Sequence, residues 1–264
     1  MTLEYPSLIA LPALLALACV AVACSERGEP ESDVESLPSG DGSGGVYLAL
    51  GDSIAAGSGA SNAGSTSYVA LVRDALRASY GETVEMESLA VPGHTTQNLI
   101  DQQLPEAARL LAEGDVRLVT VTIGGNDLGQ IAAEVLCLPD PSAPSCPLED
   151  VLLDVERRFD RILQELREAD PDVTIAVQLY PNLFSGTGHQ FERPADIAFD
   201  LLNGVISGVA KRHRALIADP RDAFVAEGLY LTHMSEPTPD AHPNDEGHRA
   251  IADAFLEVLG LDGR

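Results

Sequence analysis

Five short apolar runs rich in β-branched residues alternate with longer amphipathic segments along this chain, and no other feature constrains its fold as strongly. The runs are Val46–Leu50, Val84–Ser88, Leu118–Ile123, Val173–Leu179 and Ala215–Ala218. Helical periodicity occupies Ser67–Ser79, Pro105–Ala112, Leu148–Ala169 and Ala195–Arg212, and a last helix, which Asn244 is able to cap, is expected from about Asp245 to Leu259. Strands that alternate with helices pair in parallel, and a parallel sheet is covered by helices on both faces. The 264 residues suit one domain with a full core, and no repeat or second domain is visible.

The first run ends in Gly51-Asp52-Ser53-Ile54, followed by the small residues Ala55-Ala56-Gly57. A strand that ends in a tight turn lifts its next side chain out of the sheet at the C-terminal edge, where open α/β sheets place their ligands. Ser53 is therefore positioned like a nucleophile, although Gly-Asp-Ser alone is equally a plain turn signature. His242 is the natural base among the six histidines, because His242-Pro243-Asn244 lies in a Pro-rich loop just before a helix, free to point into a cleft. A lone loop histidine is otherwise a solvated bystander. His94, His189, His213, His233 and His248 have no comparable setting, though His94 could line a pocket beside Gly93.

Three further segments accompany the Ser53 turn. They are Ser88-Leu89-Ala90-Val91-Pro92-Gly93-His94-Thr95-Thr96, Thr122-Ile123-Gly124-Gly125-Asn126-Asp127 and Asp240-Ala241-His242-Pro243-Asn244. In this order the four segments resemble the sequence blocks of the SGNH (GDSL-like) lipase and acylhydrolase family, over about residues 46–259. The resemblance implies a flavodoxin-like three-layer α/β/α sandwich with a five-stranded parallel sheet. It implies a carboxylic ester hydrolase that uses no cofactor and no metal. Ser53 would attack and His242 would take its proton, while the Ser53 N–H, the Gly93 N–H and the Asn126 amide form the oxyanion hole. Gly-Gly-Asn-Asp could instead be a strand-to-helix turn with Asn or Asp as a cap. Family members commonly carry the orienting Asp three residues before the His, where this chain has Pro239. Asp240, two before, is the candidate, with a main-chain carbonyl as the alternative.

A net charge of −25, with Lys211 the only lysine among sixteen basic side chains, argues against nucleic acid and anionic lipid surfaces as partners. The expected partner is a small ester, a lipid or an acylated glycan, met by a monomer. Leu183, Phe184 and Phe191, near Gly186-Thr187-Gly188, could line an apolar cleft or simply anchor a loop. A noncatalytic glycan- or lipid-binding lipoprotein on the same fold is the alternative from another functional class.

The N-terminal segment points to export. Leu8 to Ala23 is an uncharged apolar run, short for a membrane-spanning helix, that ends in Ala21-Val22-Ala23-Cys24. This reads as a signal peptide over residues 1–24, with Cys24 resembling the acylated cysteine of a bacterial lipobox; a plain secretory signal or a short anchor is the alternative. Residues 25–45, polar and acidic, read as a disordered tether, and residues 46–264 as the hydrolase domain. Cys137 and Cys146 bracket a Pro-rich segment and read as a local disulfide, since two thiols without a nearby His make an incomplete zinc site.

Overall fold

The structure, a computed structural model, describes residues 44–129, 147–190 and 192–262. Its centre is a parallel sheet of β1 (Gly45–Gly51), β2 (Val84–Ser88), β3 (Val116–Thr122), β4 (Thr174–Gln178) and β5 (Leu216–Ala218), in the order β2-β1-β3-β4-β5. The helices are α1 (Tyr68–Tyr80), α2 (Thr96–Asn98), α3 (Leu104–Ala112), α4 (Gly125–Gly129), α5 (Pro147–Ala169), α6 (Glu192–Arg212), α7 (Arg221–Leu231) and α8 (Asp245–Val258). A π-helical turn, Leu99–Gln103, joins α2 to α3. Two short strands, β6 (Thr232–His233) and β7 (Asp240–Pro243), form a separate antiparallel ladder. The α/β/α sandwich expected from the sequence is therefore the fold observed.

β1 is apolar without alternation because helices cover both of its faces: Tyr47, Leu48, Ala49 and Leu50 are all fully buried. Helices α1, α7 and α8 lie together on one side of the sheet, and α3, α5 and α6 on the other. α5 shows the cause most plainly. Its Val155, Phe159, Ile162, Leu163 and Leu166 recur at helical spacing and are all buried. Polar groups within the core pair with one another, the Tyr47 and Tyr68 hydroxyls meeting those of Thr120 and Thr122 at 2.9 and 2.7 Å.

In the strand order 2-1-3-4-5 the chain reverses direction of growth between β1 and β3, which opens a crevice beyond their C-terminal ends. The turns after β1 and β3 carry Ser53 and Asn126. Sequence periodicity missed α7 and the β6–β7 ladder. It also placed His242 in a loop, whereas His242 lies on β7, paired across from β6. Two- to four-residue strands have too few side chains to show a period, so pairing alone creates them.

Candidate active site

Ser53 leaves the sheet through a turn that glycine makes possible. Gly51 has φ +146°, and a Cβ there would lie 2.1 Å from the Thr122 carbonyl oxygen. The Asp52 N–H donates to that same oxygen at 3.0 Å, bringing the turn against β3. The Asp52 carboxylate is buried, accepting from the Ile54 N–H at 2.9 Å and from the Tyr180 hydroxyl. Burial pushes its pKa up to about 6, against the pull of those two donors and of nearby His242.

β7 brings His242 to Ser53. Asn244, just after the strand, caps α8 by accepting from the Gly247 N–H at 3.0 Å, and its amide donates to the Tyr230 carbonyl at 2.8 Å. The His242 Nε2 lies 2.9 Å from Ser53 Oγ, and Nδ1 lies 2.7 Å from Asp240 Oδ1. The same carboxylate oxygen accepts from the His242 backbone N–H at 3.0 Å. Partial burial pushes the Asp240 carboxyl up, but the His242 backbone and ring hydrogen bonds outweigh it and leave it below its ordinary value. An ionised carboxylate can only accept, so Nδ1 carries the proton and Nε2 is left to accept from the serine hydroxyl.

The Gly93 and Asn126 segments meet each other. Asn126 Nδ2 donates to the His94 carbonyl at 3.0 Å. The next residue, Asp127, is buried and accepts from the Thr96 N–H at 2.8 Å and the Thr96 hydroxyl at 2.7 Å. Burial raises its pKa, while the Thr96 donors and Arg158 oppose the shift. Gly93 is exposed with φ +83°, a backbone that side chains rarely tolerate. Neither the Ser53 N–H nor the Gly93 N–H donates to a protein acceptor among the described residues.

Sequence reasoning missed Gln103. Its buried amide donates to the Gly51 carbonyl at 2.8 Å and accepts from the Gly51 N–H at 2.9 Å, holding the strand end as another strand would. Its Nε2 also lies 2.9 Å from His94 Nδ1. Nothing local marks this role, because the π-helical turn that aims Gln103 at β1 has no periodic signature. The other histidines have structural partners. His248 is fully buried, with Nδ1 accepting from the Tyr68 N–H at 3.3 Å and Nε2 at 3.0 Å from the Ser58 carbonyl, and burial lowers its pKa. His233 bridges Glu236 and the Gly59 carbonyl, which raise its pKa. His213 pairs with Asp160, and His189 rests on the Phe184 ring.

Leu183 is half-buried against the core and Phe184 half-buried, while Phe191, Cys24, Cys137 and Cys146 lie outside the described residues. Among the described residues no cluster of three or more His, Cys, Asp or Glu could hold a metal, and no helix is long and apolar enough to cross a membrane. A surface cavity lined by Gly44, Val46, Glu85 and Asp115 opens at the opposite, N-terminal edge of the sheet, away from this site.

The model of the GDSL-like lipase/acylhydrolase family matches residues 49–250. Solved structures of similar fold include an extracellular lipase from Streptomyces rimosus, at 21% identity and TM-score 0.62, covering 82% of this chain and 98% of that one. Phospholipase A1 from Streptomyces albidoflavus NA297 is 25% identical with TM-score 0.60, covering 83% and 99%. A catalytic mutant of Axe2, an acetylxylan esterase from Geobacillus stearothermophilus, is 22% identical with TM-score 0.58, covering 83% and 95%. No curated protein matches the sequence.

Proposed function

The chain belongs to the GDSL-like lipase/acylhydrolase family, and from that premise we propose that it is an exported serine esterase acting on carboxylic esters through Ser53, His242 and Asp240. The observation that carries this reading is the continuous hydrogen-bonded line from Ser53 Oγ through the His242 ring to Asp240. As Ser53 Oγ bonds to the ester carbonyl carbon, its proton passes to His242 Nε2, and Asp240 stabilises the resulting imidazolium. The carbonyl oxygen becomes an oxyanion facing the Ser53 N–H, the Gly93 N–H and the Asn126 N–H that His94 does not use. Collapse expels the alcohol, which takes the proton from His242 Nε2. Water then gives a proton to the same nitrogen as its oxygen attacks the acyl-serine; collapse breaks the acyl–Oγ bond, Ser53 Oγ takes that proton back from His242 Nε2, and the acid leaves.

The substrates this supports are small esters, lipids or acylated glycans, all presenting the same carbonyl. In this reading Leu8 to Ala23 directs export and Cys24 is acylated, with residues 25–45 tethering the domain and Cys137 bonded to Cys146. A panel of chromogenic esters of increasing acyl length, assayed on wild type and Ser53→Ala, tests catalysis and acyl preference together. Ser53→Ala should lose nearly all turnover while melting at the wild-type temperature. Wild-type turnover in that variant would defeat Ser53 as the nucleophile, and no turnover in either protein would leave a noncatalytic binding protein, for which a serine hydrogen-bonded to its base is not required.

A further inference from the structure

The Ser53 and Asn126 oxyanion donors lie on separate segments, after β1 and after β3, and an oxyanion hole works only when its donors are held in advance around one point. One side chain touches both turns. Tyr180, just past β4, is 2% exposed, and its hydroxyl donates to Asp52 Oδ2, next to Ser53. Its ring lies against Gly125, next to Asn126: a Cβ on Gly125 would come within 2.8 Å of Tyr180 Cε1 and 3.3 Å of Cζ.

Tyr180 is itself fixed from behind. Its N–H donates to Asn203 Oδ1 and its carbonyl accepts from Asn203 Nδ2, both at 2.8 Å, so α6 grips its backbone in two directions. The ring also stacks on Phe199 at 5.9 Å between centroids. A phenol held this firmly is a rigid spacer, and its bond to a buried carboxylate is of the strong, charge-assisted kind.

We propose that Tyr180 is a positioning residue for the oxyanion hole, holding the Asp52–Ser53 turn and the Gly125–Asn126 turn at the spacing that lets their donors converge. This rests on the esterase reading above. The groups facing Asp52 are the Tyr180 hydroxyl after β4, the Ile54 N–H of its own turn, His242 on β7, Asp127 on α4 and Tyr68 on α1. Burial holds the Asp52 carboxyl near 6, and the phenol is the leading group that keeps it from rising further. Without that donor the charged form loses support, so the carboxyl must titrate at higher pH. A tyrosine whose ring only filled the core would leave kcat unchanged when its hydroxyl alone is removed.

The test is Tyr180→Phe, which keeps the ring and its stacking, assayed with a short-chain chromogenic ester across pH 5–9 beside wild type and Ser53→Ala. The expected result is a kcat lower by about 10- to 10²-fold, the scale of a misplacement near 1 Å, with KM within about twofold. A kcat within about twofold of wild type, or a loss seen only in KM, overturns the proposal. Gly125→Ala is the second variant, since its methyl drives the ring away while the phenol remains, and it should reproduce the kcat loss. If Tyr180→Phe fails to fold, wild-type kcat in Gly125→Ala overturns the proposal instead. Absence of Ser53-dependent turnover in the wild type defeats the esterase reading; Ser53-dependent turnover with a normal Tyr180→Phe defeats the positioning role alone.

Discussion

The Asp240 carboxylate reaches the His242 ring from two residues away because both sit on β7, where alternate side chains share a face. A spacing of two would not align them on a helix, and in a loop nothing would enforce it. If this carboxylate orients His242, Asp240→Asn should keep the fold and cut kcat by up to about 10⁴, the cost of a triad histidine in the wrong tautomer. A kcat within a few-fold of wild type, measured with a short-chain ester through the histidine titration range, would leave a Ser53–His242 dyad. Ser53, His242 and Asp240 were legible as candidates from short motifs. The partners that hold them were not. Gln103 stands 52 residues from Gly51 and Tyr180 stands 128 from Asp52, and no local pattern links residues so far apart.

Between the motifs, the segment from Ser58 to Thr66 fastens the nucleophile's turn to the histidine's element. The Ser58 carbonyl meets His248, the Gly59 carbonyl meets His233, and Ser61 and Thr66 donate to Asp245 at the start of α8. Closest of all is Gly59, with φ +88°, where a Cβ would lie 2.2 Å from the Pro243 carbonyl oxygen and 3.0 Å from His242 Cβ. Gly59→Ala should therefore push β7 away. We expect kcat to fall by about 10²-fold and stability by about 1–3 kcal/mol, read from kinetics and denaturant unfolding; unchanged values of both would mean the contact is soft. The long elements α1, α5, α6 and α8 were legible because three or more turns repeat an apolar stripe. The π-helical turn, α7 and the β6–β7 ladder exist through tertiary contacts that local propensity does not encode.

Over the whole molecule, a net charge of −25 repels itself when the chain is compact. Salt shortens the reach of that repulsion to about 10 Å at 0.1 M, so Tm should rise between about 0.02 and 0.5 M NaCl; a flat or falling Tm would show that attractive pairs dominate. For export, wild type expressed in a bacterium with lipoprotein processing should label with fatty acid and partition with membranes, and Cys24→Ser should do neither. Equal labelling of both would exclude Cys24 as the acylated residue. Taken by itself, the sequence determined the sheet, its helical cover and which turns face the crevice, because hydrophobic period and glycine placement act over a few neighbouring residues. Tertiary structure alone decided that residues 53 and 242 would meet, that β7 would align Asp240 with His242, and that Tyr180, Gln103 and Asp127 would brace the turns. Those outcomes depend on burial and on hydrogen bonds between elements far apart in the chain, which arise only once the whole sheet is assembled.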